Sequence, residues 1–252
     1  RKARAIVSDQ FKAIDDNLLL PPVMDIIADA HEMWQCQGGQ MTDTNTFIRF
    51  ITREPQFTIK LPGDRERHLR FGFEYRNSEV GRGFQQFKSF VFDEVCLNVH
   101  IFVKQISMIK HMHKGSRIET IFGPIFEDRI RTQELINIKS AVIDATKLAI
   151  EGAYMIEVTQ FVKASLEHKI ESKDVASLIR AVGDRIGLSD HEKENALVHF
   201  DSEVDNAFGV ASAITRLAQD AHSFDRRIEL EEAGGQILAM PTNTWKALNA
   251  LA

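Results

Sequence analysis

Leu69-Arg70-Phe71-Gly72-Phe73-Glu74-Tyr75-Arg76 alternates apolar with polar or small residues without a break. Successive side chains of a strand point to opposite faces, so Leu69, Phe71, Phe73 and Tyr75 belong to one face and Arg70, Gly72, Glu74 and Arg76 to the other. That alternation predicts an antiparallel sheet with one face on a core and one in water. The same period extends outward in both directions. Upstream, Phe57, Ile59 and Leu61 alternate and are closed by Pro62-Gly63-Asp64, and Phe47, Arg49 and Ile51 alternate against Ile48, Phe50 and Thr52 in a run ending near Pro55. Downstream, the turn-like Asn77-Ser78-Glu79-Val80-Gly81-Arg82-Gly83 is followed by a β-rich stretch from Phe84 to Val103. The strand-rich region thus runs from Gln40 to about Lys104.

Helical periodicity frames it. Val23, Ile26, Ile27 and Ala30 recur at helical spacing after a cap at Asp16 or Asn17, with Pro21 and Pro22 near the first turn, and the helix is expected to end before Gly38-Gly39. Beyond Gly115 the period is 3.6 throughout. Leu135, Ile138, Val142, Ala145 and Ala149 mark a helix within Asp128–Ile150, and a second runs from about Met155 to Lys169. Val175, Leu178, Ile179, Val182 and Ile186 mark a third that stops at Gly187. Ser189-Asp190-His191-Glu192 is a capping-box pattern that opens a fourth. Phe208 to Phe224 reads as a fifth, followed by acidic Glu229–Glu232 and Gly234-Gly235. No internal repeat or low-complexity linker interrupts the chain. The expected fold is α+β: one domain over residues 1–252, an antiparallel β-meander packed against helices, with residues 116–252 as a helical half.

Composition narrows the function classes. Hydrophobic residues are 44% and charged residues 27% of the 252, ordinary values for a chain with a real core. The 17 Phe set against two Trp and two Tyr read as core packing. Cys36 and Cys96 make no disulfide framework and no metal knuckle, which fits a reducing cytoplasm. No apolar run approaches the roughly 20 residues a membrane helix needs. The opening Arg1-Lys2-Ala3-Arg4 has no apolar stretch behind it to make a signal peptide, and the chain is expected to begin inside a longer protein. Net charge is −5, but it is uneven. Residues 1–114 carry 16 Lys and Arg against 14 Asp and Glu, and residues 115–252 carry 15 against 22. Within Arg65–Arg117 the count is ten basic to five acidic, with His68, His100, His111 and His113 in addition. Local field, more than net charge, is what a phosphate backbone experiences.

Several short stretches resemble the phage- and plasmid-like proteins grouped as domain of unknown function 932. Ala5-Ile6-Val7-Ser8-Asp9-Gln10-Phe11-Lys12-Ala13-Ile14-Asp15 is similar to that family's opening. Arg76-Asn77-Ser78-Glu79-Val80-Gly81 resembles its central turn, Val95-Cys96-Leu97-Asn98 its Val-Cys-x-Asn element, and His111 to Glu119 the His-containing segment that follows. Ala213-Ile214-Thr215-Arg216-Leu217-Ala218-Gln219 and Leu230-Glu231-Glu232-Ala233-Gly234-Gly235 are similar to its tail. The pieces occur in order over nearly the whole chain. Asn98 is followed by Val99 where the family has a small residue, and either His111 or His113 stands for the family's histidine. The resemblance implies a mobile-element origin and a bacterial cytoplasm, and no particular reaction. The order helix, antiparallel meander, long helix also resembles the outline of phage single-strand annealing proteins, which form rings or filaments and hold DNA in a positive groove.

The chemistry expected of these residues is binding. Arg70 and Arg76 on the polar strand face, Arg82 and Lys88 beyond it, and Lys110, Lys114 and Arg117 further on would track a phosphate backbone without reading sequence. Gly81 and Gly83 would let backbone N–H groups approach phosphates. A solvated basic sheet face is the plainer alternative. Metal chemistry through Cys96, His100, His111 and His113, with Glu74 or Glu79 as base, is disfavoured, because positions 96 and 100 of one strand stand roughly 13 Å apart. No nucleophile elbow, dinucleotide fingerprint or Walker A pattern occurs. The expected function is therefore single-stranded DNA binding in annealing or recombination, without catalysis or cofactor. The expected assembly is a homo-oligomer, in which the acidic half could neutralise a neighbour's basic face. The alternative is a protein-interaction module or an inhibitor of a host factor.

Overall fold

The computed structural model describes residues 6, 14–80, 85–102, 107–111, 123–152, 154–172 and 174–251, the side chains of residues 85, 107–111, 123–132 and 134 excepted. The protein is α+β, with the sheet in the N-terminal half and helices throughout the C-terminal half. Helix α1 spans Asp16–Asp29. The strands are β1 Trp34–Met41, β2 Thr46–Thr52, β3 Phe57–Leu61, β4 Arg65–Asn77, β5 Gln85–Asp93, β6 Asn98–Ile101 and β7 Ser107–His111. The remaining helices are α2 Gly123–Ile150, α3 Met155–Glu167, α4 Val175–Ile186, α5 Asp190–His199, α6 Ala207–Leu217, α7 Phe224–Leu238 and α8 Thr242–Leu251. The seven strands pair in the order β1-β2-β4-β5-β6, with β3 also on β4 and β7 also on β5. Every pairing of known register is antiparallel.

The chain forms two compact units. Unit 1 holds residues 1–53, 73–88 and 107–153, and unit 2 holds 54–72, 89–106 and 154–252. In unit 1 the apolar face of the sheet is aromatic. Phe73 lies 5.0 Å from Phe50, 5.5 Å from Trp34 and 5.9 Å from Phe87, measured between ring centroids. Helix α1 buries Leu19, Val23 and Ile27, and α2 buries Val142, Ala145 and Ala149. Trp34 Nε1 donates to the Ile150 carbonyl at 3.2 Å, satisfying an orphan acceptor at the C-terminus of α2. Each fully buried large apolar side chain here contributes about 1.5–3 kcal/mol relative to exposure.

In unit 2 the β3–β4 hairpin turns at Pro62-Gly63-Asp64 with Gly63 at φ 74° and Asp64 at φ 56°. Gly72 lies under the Phe90 ring: a Cβ there would meet the ring at 2.2 Å. Its carbonyl accepts from the buried Tyr154 hydroxyl at 3.2 Å, and burial holds that phenol far above its ordinary pKa. Helix α7 packs on β6, and α8 is tied down by Trp245 Nε1 donating to the Lys169 carbonyl at 2.9 Å.

Most expected elements are present, including the Ser189–Glu192 capping box and Gly187 as the left-handed cap of α4. Two expectations are corrected. Helix α1 ends at Asp29, before Gly38-Gly39 as expected, but the strand region begins at Trp34 instead of Gln40, so the glycine pair lies inside β1, at a register shift between Cys36 and Gly38 where Gly38 has φ 144°. A bulge needs that conformation, and glycine supplies it. The fifth expected helix is broken: α6 ends at Leu217, a 3-10 turn follows at Ala218–Asp220, and α7 starts at Phe224. Gly234-Gly235 sit within α7, where a Cβ on Gly235 would stand 2.0 Å from the Ile101 carbonyl oxygen. Close approach of helix to strand, not chain reversal, is what those glycines permit.

Candidate functional site

The strand face opposite the aromatic core was expected to meet water, and in unit 1 it does not. Glu74 is fully buried; its Oε2 accepts from Arg49 Nε at 2.9 Å and its Oε1 from Arg76 Nη2 at 2.9 Å. The Arg76 guanidinium also lies 4.8 Å from the centroid of the Phe47 ring. Burial alone would raise the Glu74 carboxyl, but the two guanidiniums and their hydrogen bonds outweigh it and hold the group below the usual carboxylate range. Mutual neutralisation is what lets this face leave water. Arg76 is thereby half-buried, and Lys88 is only 4% exposed, so its ammonium is drawn inside rather than displayed.

Arg70 belongs to unit 2 and is paired with Glu94. Lys110 lies in β7 opposite Gln86, with its side chain outside the described set. Arg82, Lys114 and Arg117 lie outside the described residues, as do Gly81 and Gly83. Of the expected cations whose side chains are described, Arg70 and Arg76 are each paired with a carboxylate of their own unit, and Lys88 is buried.

The central turn Asn77-Ser78-Glu79 has an architectural job in unit 1. Asn77 Nδ2 donates to the Ile14 carbonyl at 2.8 Å and to Asp16 Oδ1 at 3.0 Å, and the Tyr75 hydroxyl donates to the same oxygen at 2.8 Å. Glu79 Oε1 accepts from the Asp16 backbone N–H at 3.1 Å, and Ser78 Oγ donates to the Thr44 carbonyl at 2.7 Å. Glu79, considered from sequence as a catalytic base, instead satisfies an orphan amide at the start of α1, where negative charge is favoured.

In unit 2, three of the singled-out stretches converge on β6. Asn98 Nδ2 donates to the Ser212 carbonyl at 3.1 Å, and Gln219 Nε2 donates to both Asn98 Oδ1 at 2.9 Å and the Cys96 carbonyl at 2.8 Å. Gly234 sits against His100, where a Cβ would come within 2.9 Å of Nδ1. His100 is fully buried, and desolvation pushes its pKa down to about 3, so the ring is neutral. Burial, aided by Asp93, raises the Cys96 thiol, which works against a thiolate nucleophile or ligand. Among the described residues no three His, Cys, Asp or Glu side chains are grouped to hold a metal; the His111 side chain and His113 lie outside them.

Beside this convergence is a cavity of about 200 Å³. Leu61, Val204 and Phe208 give it apolar walls, and Arg67, Asn98, His199, Asp201, Ser212 and Arg216 bring polar groups. The neighbouring Asp93 shapes its rim: Oδ1 accepts from the amides of Val95 at 2.9 Å and Cys96 at 3.3 Å, and the turn ends at Leu97 with φ 57°. A leucine in that left-handed region is strained. Asp201 on the other side is taken up by Arg65, at 2.6 Å. Arg67, Ser212 and Arg216 were not singled out from sequence as site residues. The signals were the basic count of Arg65–Arg117, which includes Arg67, and the Ala213–Gln219 stretch, which includes Arg216; nothing local marks Ser212.

No protein-family model, no curated protein and no solved structure matches the chain. Among the described residues no helix is long and apolar enough to cross a membrane.

Proposed function

We propose that the chain binds single-stranded nucleic acid, DNA in the first instance, and serves strand annealing for a phage or plasmid, as a homo-oligomer in the bacterial cytoplasm and without covalent chemistry. The observation that carries the reading is the make-up of unit 1. It combines α1, antiparallel strands and the 28-residue α2, the order that resembles the annealing proteins of phages. Outline alone does not imply function; the unit 1 part of Arg65–Arg117, residues 73–88 and 107–117, carries six Lys and Arg against two Glu, which supplies the matching charge.

The phosphate contacts fall to Arg82, Lys110, Lys114 and Arg117, on the chain between β4 and α2. Arg70 and Arg76 hold carboxylates, and Lys88 is buried.

Fluorescence anisotropy with a labelled single-stranded oligonucleotide, titrated at low and moderate salt, tests this. Wild-type affinity is expected to fall with salt, and each lost phosphate contact lowers the logarithmic salt slope by about 0.7. The combined Arg82→Ala, Lys110→Ala, Lys114→Ala and Arg117→Ala variant loses affinity and slope, while Arg70→Ala binds as the wild type does. No binding at low salt, or a combined variant identical to wild type, overturns the reading.

A further inference from the structure

The unit 2 cavity has cations and a donor that its own protein uses only in part. The Arg67 side chain is 15% exposed, and its nearest carboxylate oxygen, Asp93 Oδ2, is 3.8 Å from Nε, beyond hydrogen-bonding distance. That oxygen is itself buried without a hydrogen bond. Burial holds the Asp93 carboxyl above its ordinary range in spite of Arg67, and the pair makes no hydrogen bond. Ser212 Oγ, on the α6 wall, is buried with no hydrogen-bond partner, although the Ser212 carbonyl is engaged by Asn98. Arg216, one turn further along α6, is held only loosely, by Asp220 at 3.4 Å. The acid on the rim is occupied, since Asp201 accepts from Arg65 and from the Glu203 amide at 3.0 Å. Unspent donors thus face the cavity while its nearby carboxylates are turned to other partners or withdrawn.

We propose that this cavity binds a small oxyanion, a phosphate or a carboxylate on a short apolar body, with Arg67 as its principal anchor and Arg216 and Ser212 Oγ as further donors. A planar guanidinium with free N–H groups suits two-point recognition of such a group. The size sets the ligand class: about 200 Å³ is below the roughly 300–1,000 Å³ of sites for drug-sized molecules. Leu61, Val204 and Phe208 would contact the carbon portion. The strained Leu97 fixes the turn that carries Cys96 and Asn98 to the cavity wall. This site is independent of the nucleic-acid reading, because all its residues belong to unit 2.

Isothermal titration calorimetry of the intact chain with inorganic phosphate and, separately, acetate in a chloride background of fixed ionic strength tests it. One of the two is expected to bind at one site per chain, and the tighter one names the oxyanion class. Arg67→Gln is expected to weaken that binding about tenfold or more, the scale of a charge-assisted hydrogen bond, and Ser212→Ala to weaken it less. Should Arg67→Gln fail to fold, Arg216→Gln and Ser212→Ala carry the comparison. Heat from neither anion, or affinities that none of the folded variants changes, overturns the proposal.

Discussion

Two carboxylates in the two units, Glu74 and Asp93, are equally withdrawn from water, with side-chain exposures of 0% and 1%, yet they are pushed in opposite directions. Glu74 in unit 1 has two guanidiniums in direct hydrogen-bond contact and is held below the usual range. Asp93 in unit 2 has one guanidinium at 3.8 Å and two backbone amides, and burial wins. Burial penalises both charges; the number and closeness of donors decides the sign. Unit 1 therefore spends its sheet-face cations on its own carboxylate, and unit 2 leaves Arg67 available beside a cavity. The same residue types on one strand serve cohesion in one place and recognition in the other.

The contrast can be broken most forcefully at Glu74. Glu74→Gln removes the charge and leaves Arg49 and Arg76 without their shared carboxylate, in surroundings where they are mostly buried. Losing one partner of a buried ion pair costs about 3–5 kcal/mol, so urea denaturation should show a much lower midpoint. Asp93→Asn sharpens the contrast with a smaller effect. The amide oxygen can keep the turn's two N–H bonds, and the ionised form that burial disfavours is gone. Stability at neutral pH should stay within about 1 kcal/mol of wild type.

The pH dependence separates them further. A depressed folded pKa gives Glu74 a contribution present above the unfolded carboxylate range and lost as pH falls through the depressed value. Asp93, raised in the fold, takes up its proton more readily folded than unfolded. It costs stability at neutral pH, a cost relieved as pH falls through the raised value toward the ordinary one. Relative to wild type, Asp93→Asn should therefore lose ground on acidification through that window.

Much of this framework was legible in the sequence. The alternation from Leu69 to Arg76 identified the buried face, and the capping box at Ser189 and the glycine at Gly187 placed helix ends, because those signals are local. The glycine pairs carried no local sign of their tertiary reason: Gly38 accommodates a bulge inside β1, and Gly235 lets α7 touch β6. The polar face of β4 looked solvated because nothing in its period reveals that Arg49, from another strand, meets Glu74. The cavity was illegible for the same reason. Arg67 and Ser212 are ordinary residues until β4 and α6 bring them to one wall.

Carbon-13 NMR titration of the side-chain carboxyls, with Glu74 and Asp93 assigned through Glu74→Gln and Asp93→Asn wherever the variant folds, is the most direct test of this division. The account predicts that Glu74 titrates below 4.5 and Asp93 above 3.8, the ordinary values for the two groups. Glu74 at or above its ordinary value, or Asp93 at or below its own, would contradict the division between a closed charge cluster in unit 1 and an underused guanidinium in unit 2.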